Sequence, residues 1–385
     1  MGRRKQLYTT LLGLTHNPFP DHAIAAGGDR WPFDSDLHVG MPDRFARIFL
    51  GPRVDPTRKL TFFWSLGDGE EARGYGKTAY LLWFTQAICQ DLGREMLRRC
   101  GGDPSRDCIL AAYSSFNAVE GLSLSNVLYD AALDLLGARH SIIEALRGDK
   151  LARGATAYEL LDKASAISWA ANFDTNSRLL SELACRGPSS AALYLRSLSQ
   201  WHRVRWGSSV LGTTVAFLKA IGVTRMVLVI DQIEDFANWL TPSYKLQRDL
   251  PRLANICMQD RLLADCLQIV VTIHPRAQRV LDHYSWNNLG LGDLTHDPRS
   301  ERCIVLVGLT PDQFVRLTMR YLDSARAAGT QGGFSPFDRQ TLDLVCTLQR
   351  GRPGPGLQVL HRLVEEAIDA GLAEITLNWA RQFLG

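Results

Sequence analysis

The densest group of chemistry-bearing residues is "GYGKTA", Gly74-Tyr75-Gly76-Lys77-Thr78-Ala79, running straight into the apolar-rich "YLLWFTQAI". Glycines let a backbone close on phosphate oxygens, a lysine neutralises phosphate charge, and a Thr hydroxyl can hold Mg2+. The N–H groups at the start of the following helix add the positive end of its dipole. The full pattern, G-x-x-x-x-G-K-[ST], calls for a glycine where this chain has Glu71, and Gly67 and Gly69 stand further upstream. The approach "GDGEEARGYGKT" is about four residues longer than the pattern, which a bulge at Glu71 accommodates if Glu70 and Glu71 face away from phosphate. The reading is a working but irregular site for ATP with Mg2+.

A second group sits at the end of an apolar run, "RMVLVIDQIEDF". Asp231, at the tip of a buried strand, is placed to hold Mg2+ together with Thr78, and an acid just beyond it can orient the attacking water. Many ATPases place Glu directly after this Asp; this chain has Gln232. Glu234 is the first candidate for the water-orienting base and Asp235 the second, and slow turnover fits that substitution.

The elements that must position these residues follow from periodicity. Apolar runs Leu60–Leu66, Cys108–Phe116, Arg225–Asp231, Leu267–Ile273 and Cys303–Leu309 read as strands, with a helix over about Lys77–Leu92. Continuous Val/Ile/Leu strands separated by helices indicate an α/β fold with a parallel sheet covered on both faces. Residues 117–222 carry helical spacing and form a helical insertion. After Leu309 the chain is helical throughout, opening on Thr310 as N-cap and Pro311 at the first helical position. The expected organisation is a leader over 1–56, a nucleotide-binding core over 57–309 and a C-terminal helical lid over 310–385. The Pro/Gly/Asp-rich leader reads as extended chain that packs over a domain or reaches a neighbour.

The chain has 385 residues, 46% of them hydrophobic and 22% charged, as in ordinary soluble proteins. No apolar run approaches the ~20 residues of a membrane-spanning helix. The N-terminus does not read as a signal peptide or a myristoylation site. Eight scattered cysteines without a C-x-x-C pair indicate reduced thiols and a cytoplasmic protein with no metal cluster. The net charge of +3 is too small to argue for nucleic acid by itself.

The loop, the acidic strand end, a further strand ending in polar residues and a helical lid, in that order, resemble an AAA+ ATPase. Within that superfamily the chain is similar to the branch of origin-recognition initiators, transposition regulators and secretion-type ATPases with a "GL..NPF" leader, here "GLTHNPF" (Gly13 to Phe19). Its "DQIED" is similar to the "DQFEE" of STAND signalling ATPases. The resemblance covers about Leu60 to Leu384 and implies a P-loop NTPase core with a five-stranded parallel sheet. It implies a γ-phosphate sensor at Thr272 or His274. It implies a lid arginine at Arg352, with Arg350 as the alternative, and an arginine offered to a neighbouring subunit at Arg299 or Arg302. Each of these arginines also reads as an ordinary solvated side chain.

Three functions follow. The first is an ATP-hydrolysing switch or motor, homo-oligomeric, working in a multi-protein complex on DNA as a loader, transposition regulator or anti-phage defence component. Basic clusters such as "GREMLRRC" and "WHRVRW" stand on its side, although such clusters are commonly solvated helix faces. The second is a STAND-like switch of slow turnover that assembles with a partner effector. The third is a scaffold that binds nucleotide only to hold its fold, against which Lys77, Thr78 and Asp231 together argue.

Overall fold

The structure is a computed structural model and describes residues 2–21, 33–50, 60–65, 73–115, 124–167, 174–232, 266–273, 303–330 and 332–384. Runs of Val, Ile, Leu and Phe bounded by turns form five strands: β1 (Leu60–Ser65), β2 (Ile109–Ser115), β3 (Arg225–Asp231), β4 (Leu267–Ile273) and β5 (Cys303–Leu306). They make one α/β sheet of parallel strands in the order β2-β3-β4-β1-β5. The pairings β1–β4, β2–β3 and β3–β4 are parallel, with Trp64 opposite Ile273 and Ser115 opposite Asp231. All seven residues of β3 are buried, the pattern of a central strand covered on both faces.

The helices, numbered over the described residues, are α1 (Gly2–Leu7), α2 (Met41–Phe49), α3 (Lys77–Asp91), α4 (Arg94–Arg99), α5 (Leu124–Ala138), α6 (His140–Ala152), α7 (Ala157–Ile167), α8 (Asp174–Ser181), α9 (Pro188–Ser197) and α10 (Gln200–Ala220). Those of the C-terminal part are α11 (Pro311–Ser324), α12 (Arg339–Leu348), α13 (Pro353–Asp369) and α14 (Leu377–Leu384). The chain divides into two units, one of Met1–Met41, Ser65–Trp83 and Val305–Gly385, the other of Pro42–Trp64 and Phe84–Ile304.

In the second unit Phe45, Phe49, Phe63 and Phe84 are fully buried, and their rings pair at 4.8–5.4 Å between centroids. Tilted and edge-on pairs of this kind fix α2 against β1 and the helix after the phosphate loop. Arg225, at the start of β3, is buried but satisfied, its guanidinium donating to the Leu50 carbonyl at 2.8 Å and to Gln268 Oε1 at 2.7 Å. The insertion helices α5–α10 have their own apolar faces, and Tyr129 at their centre donates its hydroxyl to the Leu195 carbonyl.

In the first unit the leader is helical at its start, α1 followed by a wider π-type turn over Tyr8–Leu12, where the sequence reads as extended chain. Its short amphipathic stretch takes that form against the C-terminal helices: Tyr8, Leu12, Leu14 and Phe19 share one core with α11, α12 and α13. The "GLTHNPF" motif is the anchor. Asn17 donates to the His361 carbonyl at 3.0 Å and to Glu365 at 2.7 Å, and the Phe19 ring stacks on Tyr321 at 5.9 Å. Helix α11 opens with a full capping box between Thr310 and Gln313, Pro311 standing at its first position. Asp338 caps two helices at once, accepting from Thr341 N at 2.6 Å and from Leu377 N at 2.8 Å.

Among the described residues no cysteine forms a disulfide, and Cys89, Cys266, Cys303 and Cys346 are buried. No group of metal-ligating side chains and no helix able to cross a membrane occurs among the described residues.

Candidate functional site

The glycine-lysine-threonine loop, Gly74–Ala79, belongs to the first unit. Gly74 and Gly76 adopt φ of +82° and +90°, a backbone turn open to glycine, and α3 starts at Lys77. Lys77 is 8% exposed, and its ammonium donates to Ser65 Oγ, 2.8 Å away at the end of β1. Thr78 and Ala79 lie in the first turn of α3, and Tyr75 is buried. The stretch 66–72, with Gly67, Gly69, Glu70 and Glu71, lies outside the described residues.

The start of α13 packs on this loop. Gly354 N donates to the Gly74 carbonyl at 2.8 Å. A Cβ on Gly74 would stand 2.4 Å from Pro355 Cδ, and one on Gly354 would stand 3.0 Å from Gly74 Cα. Only two bare backbones fit this contact, which explains the alternating "RPGPG" at the head of the helix. Arg352 is the N-cap of α13, its Nε 3.3 Å from the Gln349 carbonyl. Arg350 takes a left-handed φ of +53° at the end of α12, where its N–H donates to the Thr347 carbonyl and that of Gly351 to the Cys346 carbonyl. That pair of bonds is a Schellman closure, so Arg350 holds a position usually given to glycine.

Leader residues line the helix that follows the loop. His38 is buried between Tyr80, whose hydroxyl lies 2.8 Å from Nδ1, and the Val307 carbonyl, 3.1 Å from Nε2. Burial lowers the His38 pKa, against the opposing effect of the Val307 carbonyl, and burial raises that of Tyr80. Phe33 packs edge-on to Tyr80, and buried Asp34 pairs with Arg316 at 2.7 Å and Arg320 at 3.2 Å.

The acidic strand end belongs to the second unit. Asp231 is 1% exposed; Oδ2 accepts from the Tyr113 hydroxyl at 2.9 Å and Oδ1 from Gln232 N at 2.9 Å. The same Gln232 N–H also reaches Thr272 Oγ1 at 2.8 Å, while Ser115 Oγ donates to Gln232 Oε1 at 2.8 Å. Gln232 has a φ of +60°, a costly conformation for a side-chain-bearing residue, and these three contacts hold it there. The carboxyl ends of β2, β3 and β4 are thereby tied into one polar network. Below it, Asp134 accepts from Tyr113 N at 3.1 Å, and burial raises the Asp134 pKa.

Of the residues expected from sequence, the structure brings Asp231, Gln232 and Thr272 together, and sets Gly74 and Gly76 beside the start of α13, whose N-cap is Arg352. Glu234, Asp235, His274, Arg299 and Arg302 lie outside the described residues. Sequence reasoning missed Tyr113 and Ser115, although the polar "YSS" closing an otherwise apolar strand is a usable signal once β2 is known to neighbour β3. It also missed the Gly74–Gly354 contact and the His38–Tyr80 pair.

A parallel sheet ordered β2-β3-β4-β1-β5, with the glycine-lysine-threonine turn after β1 and a helical C-terminal part, is the AAA+ P-loop NTPase fold. No family model matches the chain, and no curated protein matches it in sequence. Among solved structures it is similar to the Aeropyrum pernix ORC2 protein in its ADPNP–ADP complexes, with a TM-score of 0.52 at 11% identity over 92% of this chain and 69% of that one. The ADP form of the same protein gives 0.48 at 11% identity over 92% and 70%. At this identity the likeness is one of fold.

Proposed function

We propose that this chain binds ATP with Mg2+ at Gly74–Ala79 and hydrolyses it, acting as an oligomeric cytoplasmic switch or motor in a DNA-related multi-protein complex. The observation that carries the reading is Lys77: a nearly buried ammonium drawn to the end of β1, at the head of a helix, beside two glycines with positive φ. A lysine in the first turn of a helix, beside glycines whose N–H groups are open to the loop, is the arrangement in which such loops receive phosphate. The sheet supports this. β1 connects towards β2 while its neighbour β4 connects across it to β5, so the topological switch point falls between β1 and β4, where ligands of open α/β sheets bind. The ADPNP and ADP in the structures of ORC2 agree with a nucleotide in this fold.

In this reading the loop N–H groups and Lys77 cradle the β- and γ-phosphates, and Thr78 and Asp231 hold the metal. A hydroxyl and a carboxylate are hard oxygen donors of the kind that Mg2+ takes. Bound Mg2+ supplies charge neutralisation of the phosphates. Glu234, or Asp235, orients the attacking water; Thr272 or His274 senses the γ-phosphate; Arg352 or Arg350 reaches it from the lid; and Arg299 or Arg302 is offered to the neighbouring subunit. The leader of 1–56, the core of 57–309 and the lid of 310–385 are the corresponding functional divisions.

One observation favours the slow, STAND-like form of this switch, assembled with an effector protein. Gln232 stands where many ATPases carry the catalytic Glu, and its side chain is spent on Ser115 while its backbone is held by Thr272 and Asp231. A residue clamped in this way fixes geometry and takes no proton.

The test is nucleotide binding and turnover by the purified chain, with and without duplex DNA. Lys77→Ala abolishes binding, and Glu234→Gln keeps binding while stopping turnover. Wild-type hydrolysis by Glu234→Gln refutes the assignment of the base, and unchanged binding by Lys77→Ala refutes the site.

A further inference from the structure

The motif "WHRVRW" has no part in the nucleotide site. It forms the first turns of α10, within the second unit. From Leu183 to Ile230 the chain has no Asp or Glu, yet it carries Arg186, Arg196, Arg203, Arg205, Lys219 and Arg225. Of these Arg225 is buried under the sheet, whereas Arg186, Arg196 and Arg205 are exposed. Among the described residues no carboxylate pairs with Arg196 or Arg205.

The aromatic residues here are not folded away. Trp201 is 57% exposed, and the Arg205 guanidinium lies 4.9 Å from its ring centroid and 5.2 Å from that of Trp206. The His202 ring stands edge-on to Trp201 at 5.1 Å, and Arg203 covers the Tyr129 ring at 5.5 Å. The corner itself is firmly built, since Ser125 Oγ accepts from Gly207 N at 3.0 Å and donates to the Arg203 carbonyl at 3.2 Å. What sets Trp201 apart from the other exposed apolar residues is the guanidinium of Arg205 held over its ring, so that indole and cation are presented together.

We infer that the Trp201–Arg205–Trp206 corner of α10 is a contact surface for single-stranded DNA. A polyanion is chosen because Arg203 and Arg205 both stand over aromatic rings here and outnumber Asp130, the exposed carboxylate beside Tyr129. A nucleic acid is chosen over an acidic protein because an exposed indole with a stacked guanidinium is a platform for bases. A single strand is chosen because a duplex keeps its base faces stacked away from such a platform. The inference rests on the DNA-linked part of the proposed function and adds the surface and the form of the DNA.

The experiment is fluorescence anisotropy of the full chain with a labelled oligo(dT), a duplex of equal length and an oligo(U), in nucleotide-free buffer over a salt series. Trp201→Ala and Arg205→Ala are measured alongside; both positions are exposed, and circular dichroism confirms their folding. The expected result is tighter binding of oligo(dT) than of duplex or oligo(U), and quenching of tryptophan fluorescence that Trp201→Ala diminishes. Each variant weakens oligo(dT) binding by roughly tenfold. Arg205→Ala also lowers the salt slope by about 0.7. Failure of oligo(dT) to bind, indifference to both variants, preference for duplex, equal binding of oligo(U), or displacement by a polyglutamate peptide overturns it. Nucleotide affinity, measured on the same preparations, separates this outcome from failure of the nucleotide site: Lys77→Ala acts on nucleotide affinity alone.

Discussion

Replacing Gly74 by alanine adds one methyl group where the phosphate loop meets the lid helix, and the structure sets the cost. The backbone there has a φ of +82°, which an L-residue adopts at about 1–2 kcal/mol. The new Cβ would also stand 2.4 Å from Pro355 Cδ and 3.1 Å from its Cγ, against the ~3.5–4 Å of an ordinary carbon contact. The first turn of α13 must therefore move by on the order of 1 Å, which strains packing by about 1–3 kcal/mol. The same movement lengthens the 2.8 Å bond from Gly354 N to the Gly74 carbonyl, worth about 0.5–1.5 kcal/mol. Gly40 provides the control, with a similar φ of +73° and nothing within 4 Å of its would-be Cβ. Urea denaturation should show Gly40→Ala costing about 1–2 kcal/mol and Gly74→Ala about 2 kcal/mol more. Nucleotide affinity should fall for Gly74→Ala and hold for Gly40→Ala. Equal stability losses in the two variants refute the interlock of loop and lid, whatever happens to nucleotide binding.

Two further perturbations address the strand-end network and the leader. Thr272→Val removes an acceptor of the Gln232 N–H while keeping shape, and should lower stability by about 1 kcal/mol and slow turnover; unaltered stability and turnover would show that Asp231 and Ser115 alone hold the strained turn. The leader should come loose at acid pH. Burial would raise the Glu365 pKa, but hydrogen bonds from Tyr8 and Asn17 and the charge of Arg4 hold it below the ordinary carboxylate value. A depressed folded pKa gives stability that is present above the unfolded value and is lost as pH falls through the folded one, so the loss lies below about pH 4. Burial and the bond to Glu365 push Tyr8 up to about 12, which removes stability at the other end, as pH rises above the ordinary tyrosine value of 10.0. Melting temperature against pH for wild type and Glu365→Gln checks this: the variant should have the shallower acid limb, and parallel limbs would refute it.

Local signals were enough for the scaffold. The strands Arg225–Asp231 and Leu267–Ile273 fall on the bounds that their apolar runs suggest, and α3 and α11 begin at Lys77 and Pro311 as glycine, lysine and the Thr-Pro pair indicate. β5 ends at Leu306 and not at Leu309, because the backbone of Gly308 and Leu309 turns to the lid, Leu309 donating to the Gly351 carbonyl. What could not be read is whatever depends on which strands are neighbours. Tyr113 meets Asp231 only because β2 pairs with β3, a fact that neither strand carries in itself. The Gly74–Gly354 contact joins residues far apart in the chain, and each glycine alone reads as turn punctuation. Gln232 is the harder case. Sequence suggests a catalytic position filled by the wrong residue, whereas its left-handed backbone and three anchors describe a residue chosen for holding a strand end in place. An amide suits that task better than a carboxylate would: a Glu there, so close to Asp231, would bring two negative charges to one buried strand end and raise the pKa of one of them. The departure from the usual motif and the strained turn are thus one feature, in line with the proposal that Glu234, the first acid beyond it, activates water.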